Sequence, residues 1–187
     1  MKLLTWNLDG LDSELLFERT VDAIPKLDAF DVVFLQEVVT SSKELIMANM
    51  PDYEHYVGAS IPDYFVMILV KKSLGAQGLT ANYAPFANSQ MGRGVLMVNA
   101  TMSDGTRYLF ATSHLESLKE YAPVRMAQFS LILDQVKVDK DVNVVFGGDF
   151  NMRDAELKIL SPQNLEYFEQ EFNDGWVKAG SNFNTKF

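Results

Sequence analysis

Cysteine is absent from the 187-residue chain. This excludes disulfides, thiolate zinc sites and a thiol nucleophile, and it fits a reducing compartment. No apolar run approaches the ~20 residues that a membrane span requires. The opening stretch Met1-Lys2-Leu3-Leu4-Thr5-Trp6-Asn7 lacks the sustained apolar segment of a secretion signal. An intracellular soluble protein is therefore expected, nuclear or cytoplasmic, not secreted and without a membrane partner. Basic residues are also scarce, with 16 Lys and Arg against 25 Asp and Glu, a formal net charge of −9. A broad nucleic-acid surface is normally basic, so any nucleic-acid contact should be short and directed at an end. The deficit is uneven, at −8 over residues 1–63, +2 over 64–153 and −3 over 154–187. A phosphate substrate remains compatible with this balance, because a bound cation and a few local arginines dominate the charge of their own site.

What is present is an ordinary globular composition, 48% hydrophobic and 22% charged. The length suits one domain with a substantial core. Apolar strands alternate with helical patterns, the signature of an α/β architecture. Strands are expected at Lys2–Trp6, Asp31–Glu37, Tyr53–Gly58, Tyr64–Lys71, Gln77–Tyr83, Gly94–Met102, Thr106–Thr112 and Val142–Phe146. Ser103-Asp104-Gly105 reads as a hairpin turn. Asp12 or Ser13 can cap a helix bearing Phe17, Val21, Ile24 and Leu27 on one face, which Pro25 should kink or end early. A second helix is expected over about 41–50 and a third over about 120–137, the latter carrying Met126, Phe129, Leu133 and Val136. Short helices should complete the chain. No internal repeat or linker interrupts it.

Four of the strands end in polar groups. The first delivers Asn7, the second Gln36 and Glu37, and the seventh Ser113, His114, Glu116 and Ser117. The last leads into Gly147-Gly148-Asp149-Phe150-Asn151. Side chains two apart on an extended backbone point the same way, so Asp149 and Asn151 can converge on one reacting group, and the glycines allow a sharp turn and close approach to a ligand. In α/β proteins the carboxyl ends of strands are where ligands bind. Each residue also has a plainer reading. Glu37 is either a solvated strand end or a ligand for Mg²⁺, which takes only one or two carboxylates. His114 is either a structural hydrogen-bonding group or a phosphate contact, and His55, set among aromatics, is structural. Arg93, within Gly92-Arg93-Gly94, is either a surface side chain or a substrate-strand contact. Arg153-Asp154 is either a phosphate contact or a helix-start ion pair.

The segments Thr5-Trp6-Asn7-Leu8-Asp9-Gly10-Leu11-Asp12, Leu35-Gln36-Glu37-Val38, Ser113-His114-Leu115-Glu116-Ser117 and Gly147-Gly148-Asp149-Phe150-Asn151-Met152-Arg153-Asp154 resemble successive motifs of the endonuclease/exonuclease/phosphatase superfamily. In form they are most similar to its 5′-tyrosyl-DNA phosphodiesterase branch. Phe65–Ser73 and Arg125-Met126-Ala127-Gln128 follow in order, so the likeness spans essentially the whole chain. It implies a four-layer α/β sandwich, two packed β-sheets flanked by helices. It also implies Mg²⁺-dependent phosphodiester hydrolysis, with Mn²⁺ as an alternative ion. The implied partner is a 5′ DNA end carrying the tyrosyl adduct of a trapped topoisomerase.

Carried over by position, Glu37 holds the metal with Asn7 beside it, and Asp149 orients or deprotonates the attacking water. Asn151 and His114 hydrogen-bond the phosphoryl oxygens. Ser117 and Arg153 are further phosphate-side residues, and Arg93 a substrate-strand contact. The family's closing Ser-Asp-His motif does not occur in these residues. Residues 1–187 are accordingly expected to be one catalytic domain of this type lacking its last strands, marginally stable or self-associating, and of reduced or no activity. The sequence sets no oligomeric state. Two other readings remain: another Mg²⁺ phosphodiesterase of the superfamily, either an abasic-site nuclease or a phosphoinositide or lipid phosphatase, and a non-catalytic remnant that binds DNA ends or a protein.

Overall fold

The computed structural model describes residues 1–137 and 140–178. All eight expected strands are present and form two four-stranded sheets. The first sheet contains β1 (Leu3–Asn7), β2 (Val32–Val38), β3 (Tyr53–Ile61) and β4 (Tyr64–Lys71), in the order β1-β2-β4-β3. The second contains β5 (Gln77–Pro85), β6 (Gly94–Thr101), β7 (Arg107–His114) and β8 (Val142–Asp149), in chain order. Pairing is parallel for β1 with β2 and for β7 with β8, and antiparallel elsewhere. Helix α1 (Leu16–Leu27) links the first parallel pair and α3 (Ala122–Val136) the second. Helices α2 (Thr40–Asn49) and α4 (Pro162–Glu171) complete the outer layers.

The layers follow from the two-residue period of a strand. Along β2, Val33 and Leu35 face Leu27 of α1 and Ile46 of α2, whereas Val32 and Phe34 face the second sheet. Along β4, Met67 and Leu69 join the first group and Val66, Ile68 and Val70 the second. Leu96 and Val98 of β6 and Phe110 of β7 close the inter-sheet core. Val95 and Ala111 point outward beneath Met126, Phe129, Ile132, Leu133 and Val136 of α3. Strands buried on both faces read as continuous apolar runs, which is why β2 and β4 stand out in the sequence. The hairpin at Ser103-Asp104-Gly105 is closed by Gly105 N–H on the Met102 carbonyl, and Gly105 has φ of 85°.

Helix α1 departs from expectation. Phe17 and Val21 are exposed, at 66% and 41%, and the buried face is instead Thr20, Ala23 and Leu27. The Thr20 hydroxyl is satisfied by the Leu16 carbonyl, so this weakly apolar residue can face the core. Neither Asp12 nor Ser13 caps the helix. It begins after Leu15, which is left-handed at φ 50°. It also runs through Pro25 to Leu27 instead of ending early, because Pro25 lies in the last turn. No helix among the described residues is long and apolar enough to cross a membrane. The closing stretch Asn184-Thr185-Lys186-Phe187 lies outside the described residues.

Candidate active site

Strands β1, β2, β7 and β8 bring their carboxyl ends together where the two sheets meet. Behind that point the buried Gln36 amide donates to Thr112 Oγ1 (3.0 Å) and Thr5 Oγ1 (3.2 Å), tying the sheets to each other. In front of it, Asn7 Nδ2 donates to Asp149 Oδ2 at 2.9 Å, across 142 residues of sequence. His114 lies 3.7 Å from Glu37 Oε1 through Nδ1 and 3.7 Å from Asp149 Oδ2 through Nε2. The Asn151 amide sits 3.0 Å from His114 Nε2 and 3.3 Å from the Leu115 carbonyl. Asn7, Glu37, His114, Asp149 and Asn151 are thus one cluster.

The expected strand alternation does not produce this convergence. Asn151 has φ of 51°, and its backbone N–H donates to Asp149 Oδ1 at 3.1 Å, an Asx turn just beyond β8. The same device follows β1, where Asp9 has φ of 51° and donates its N–H to Asn7 Oδ1 at 2.8 Å. Glu37 has φ of 52° at a register shift in the β2–β4 pairing, and such bulges re-aim a side chain beside a functional site. Left-handed non-glycine residues cost about 1–3 kcal/mol each and persist only where the surroundings over-determine them. Phe150, between the two polar residues, packs against Phe146 with the rings tilted by 34° (4.5 Å between centroids) and anchors the turn in the outer core.

Nor do the paired glycines form a turn. Both lie within β8, where a side chain would collide with the facing sheet at Gly147 and with the adjacent strand β7 at Gly148. A Cβ at Gly147 would stand 2.8 Å from the Phe34 ring, and one at Gly148 would stand 2.1 Å from the Ser113 carbonyl.

Arg93 is buried instead of lying on the surface. Its guanidinium donates to the Tyr64 hydroxyl and approaches His114 Nδ1 at 3.0 Å, and the hydroxyl itself lies 2.6 Å from Nδ1. An arginine only donates, so it meets Nδ1 as an acceptor, while Nε2 faces the Asp149 carboxylate at 3.7 Å and the Asn151 amide nitrogen, itself a donor, at 3.0 Å. Burial first, and the Arg93 cation second, push the imidazole down to about 4, against the opposing pull of Asp149. At neutral pH the His114 ring is therefore uncharged. Removing the cation with Arg93→Ala should raise the His114 midpoint in the metal-free protein, read by NMR titration of the ring protons. An unchanged midpoint would show that the guanidinium is not responsible.

The other expected residues play quieter parts. Ser117 Oγ donates to Met91 Sδ at 3.2 Å. Arg153 is exposed and pairs with Glu156 at 3.0 Å, a partner the sequence reading did not name. His55 remains structural, and burial lowers its pKa. Sequence reasoning missed three supports. Tyr64 carries no signal of its proximity to His114. The buried Glu116 accepts from Ser89 Oγ and from the N–H groups of Gln90 and Met91, anchoring the loop that carries Arg93. Arg125, fully buried on α3, holds the Glu116 and Leu118 carbonyls and the Glu156 carboxylate, so it links the loop after His114 to the segment after Asn151.

Among the described residues no group of three or more His, Asp or Glu side chains forms a ready-made metal cage. A small hard cation does not need one, since Mg²⁺ keeps several waters and takes one or two carboxylates plus substrate oxygens. The Glu37 carboxylate and the remaining lone pair of Asn7 Oδ1 supply hard oxygen donors of that kind, with the Asp149 carboxylate alongside.

The endonuclease/exonuclease/phosphatase family model matches residues 4–185. Tyrosyl-DNA phosphodiesterase 2 of Bos taurus is 36% identical over 82% of this chain and 42% of its own length. The 5′-tyrosyl-DNA phosphodiesterase of Caenorhabditis elegans is 33% identical over the whole of this chain and 50% of its own length. The chain thus spans half or less of the length of these curated relatives. Among solved structures, D. rerio TDP2 complexed with single strand DNA product superposes with a TM-score of 0.85 at 30% identity, covering all of this chain and 73% of that one. With the expected four-layer architecture in place and its motif residues gathered in one cluster, the chain belongs to the endonuclease/exonuclease/phosphatase family, among the relatives of tyrosyl-DNA phosphodiesterase 2.

Proposed function

We propose that the chain forms the catalytic fold of a phosphodiesterase that hydrolyses the bond between a tyrosyl oxygen and a 5′ DNA phosphate, with Mg²⁺ as the working ion and Mn²⁺ as a substitute. The observation that carries this reading is the contact chain Glu37–His114–Asp149–Asn7, with Asn151 against His114, which gathers two carboxylates, two amides and an uncharged imidazole in one cluster. The relatives named for 5′-tyrosyl-DNA and the structure bearing a DNA product support the substrate class.

Asp149 is fixed through both oxygens, by Asn7 and by the Asn151 N–H. In the reaction it orients a water for in-line attack and accepts its proton. The water oxygen bonds to phosphorus as the phosphorus–tyrosyl oxygen bond breaks, and the phenolate departs. His114 and the Asn151 amide hydrogen-bond the phosphoryl oxygens, where charge develops. Such preorganised donors are worth about 10²–10³ in rate each. Glu37 and Asn7 would hold the divalent ion, which when bound polarises the phosphoryl oxygen and stabilises the leaving oxygen.

The test is hydrolysis of a 5′-tyrosyl oligonucleotide, compared with an abasic duplex and a soluble phosphate ester, each with and without Mg²⁺. Preferential release of tyrosine is the expected result. Preference for the abasic duplex or the ester would reassign the substrate. Binding of the DNA end without turnover at any Mg²⁺ concentration would make the chain a binding module.

A further inference from the structure

The loop between β1 and α1 holds a cation that the proposed chemistry does not use. Arg19 directs four N–H groups at main-chain carbonyls: Nε to Glu14 (3.0 Å), Nη1 to Leu8 (3.1 Å), and Nη2 to Asp9 (3.1 Å) and Asp12 (2.6 Å). A guanidinium is a rigid planar fork of five donors, so this arrangement fixes the course of residues 8–14 from the inside. The loop needs such fixing, because Asp9 and Leu15 are both left-handed, at φ 51° and 50°.

Two consequences reach the reacting centre. With Asp9 held, its N–H bonds to Asn7 Oδ1 and sets the amide so that Nδ2 faces Asp149. With Gly10 held, its N–H donates to the carbonyl of Glu37 at 3.0 Å, while Leu8 N–H donates to that of Gln36 at 3.0 Å. The approach at Gly10 is so close that a Cβ there would stand 2.1 Å from the Glu37 oxygen. The left-handed Glu37, at φ 52°, is thus buttressed by the loop that Arg19 organises.

We propose that Arg19 is a positioning residue for the metal-binding pair, acting through the loop to orient the Asn7 amide and to hold the bulged backbone of Glu37. The proposal rests on the reading of Glu37 and Asn7 as the ion-binding groups. Lysine cannot replace this arginine, because a single ammonium cannot span four carbonyls.

Outer partners of metal ligands typically change affinity or activity 10–100-fold when removed. Arg19→Ala and Arg19→Lys should therefore raise the Mn²⁺ dissociation constant, measured by electron paramagnetic resonance, at least about tenfold. The half-saturating Mg²⁺ concentration for hydrolysis should rise in parallel. Both variants should also lose hydrogen-exchange protection at Asp9 and Gly10, and the side-chain amide resonances of Asn7 should shift. Ala23→Gly, on the buried face of the same helix, serves as the control. It should lower the urea midpoint yet leave Mn²⁺ affinity and Gly10 exchange as in the parent. Equal Mn²⁺ affinity and unchanged exchange in a folded Arg19→Ala protein would overturn the proposal, as would an equal loss in Ala23→Gly. If the parent fails to cleave the tyrosyl oligonucleotide, the ion-binding and exchange measurements still decide the role of Arg19, and only the substrate reading falls.

Discussion

Asp149→Asn should lower kcat on the 5′-tyrosyl oligonucleotide by about 10²–10⁴-fold, the range attributed to a positioned general base, with little change in the urea midpoint. The substitution keeps an oxygen for the Asn151 N–H but turns an amide NH₂ toward Asn7 Nδ2, which is itself a donor. Asn7 cannot simply flip to accept, because its Oδ1 is committed to the Asp9 N–H. The variant therefore loses both the proton acceptor and the alignment, while the fold remains supported by the core layers away from this partly exposed group. Glu37→Gln should look different. It should weaken Mg²⁺ binding below detection by calorimetry with the fold intact, and turnover should recover partly at high metal concentration. Asp149→Asn should show no such recovery. Unchanged Mg²⁺ affinity in Glu37→Gln, or near-parent kcat in Asp149→Asn, would sink the corresponding assignment.

The largest loss of stability is expected from Arg125→Ala. The guanidinium is fully buried and bonds to both oxygens of Glu156 (3.1 and 2.8 Å) and to the Glu116 and Leu118 carbonyls (2.7 and 3.0 Å). Truncation would strip two carbonyls of the guanidinium and leave the buried Glu156 carboxylate held only by Arg153, and breaking a buried ion pair in this way typically destabilises by about 3–5 kcal/mol. That is a large share of the roughly 5–15 kcal/mol that holds a domain folded. Replacing the pair together, as Arg125→Met with Glu156→Gln, should recover much of the loss, because no charge is then stranded. Equal urea midpoints for parent and Arg125→Ala would refute the clamp.

The same pair shapes the acid limb of the stability curve. Arg125, with help from the backbone and side chain of Arg153, holds the Glu156 carboxyl down to about 2, against 4.5 for an unperturbed group. A depressed carboxyl stabilises the fold above its unfolded value, and that contribution is lost as pH falls from about 4.5 toward 2. His114 has the same sign in a higher window, since unfolding lets it take up a proton between 6.5 and about 4. Denaturation midpoints should therefore drop in two stages on acidification. Glu156→Gln should flatten only the lower stage.

Much of this protein is legible in its residues because the information is local. All eight strands and the α3 stripe of Met126, Phe129, Leu133 and Val136 follow from apolar period and run length, since burial on one or both faces leaves a direct pattern. The motif residues Asn7, Glu37, His114, Asp149 and Asn151 are also identifiable there, as polar groups terminating apolar strands. The α1 face was misread because Thr20 and Ala23 are weak apolar markers beside Phe17 and Val21, which the packed sheet leaves in solvent.

What the tertiary structure alone decided is how those groups are aimed and held. Asn151 meets His114 through a left-handed Asx turn on Asp149, which Asn7 holds from across the fold, and Glu37 through a bulge whose carbonyl accepts from Gly10. Gly147 is small because the facing sheet presses on it and Gly148 because the adjacent strand does, a requirement invisible until Phe34 and Ser113 are in place. In sequence Arg93 reads as either a surface side chain or a substrate-strand contact and Arg125 only as part of a family motif, yet both are buried among partners brought from across the fold. Local pattern records which surfaces leave water. The pairing of buried polar groups is settled only when the sheets close and each remaining donor must find an acceptor.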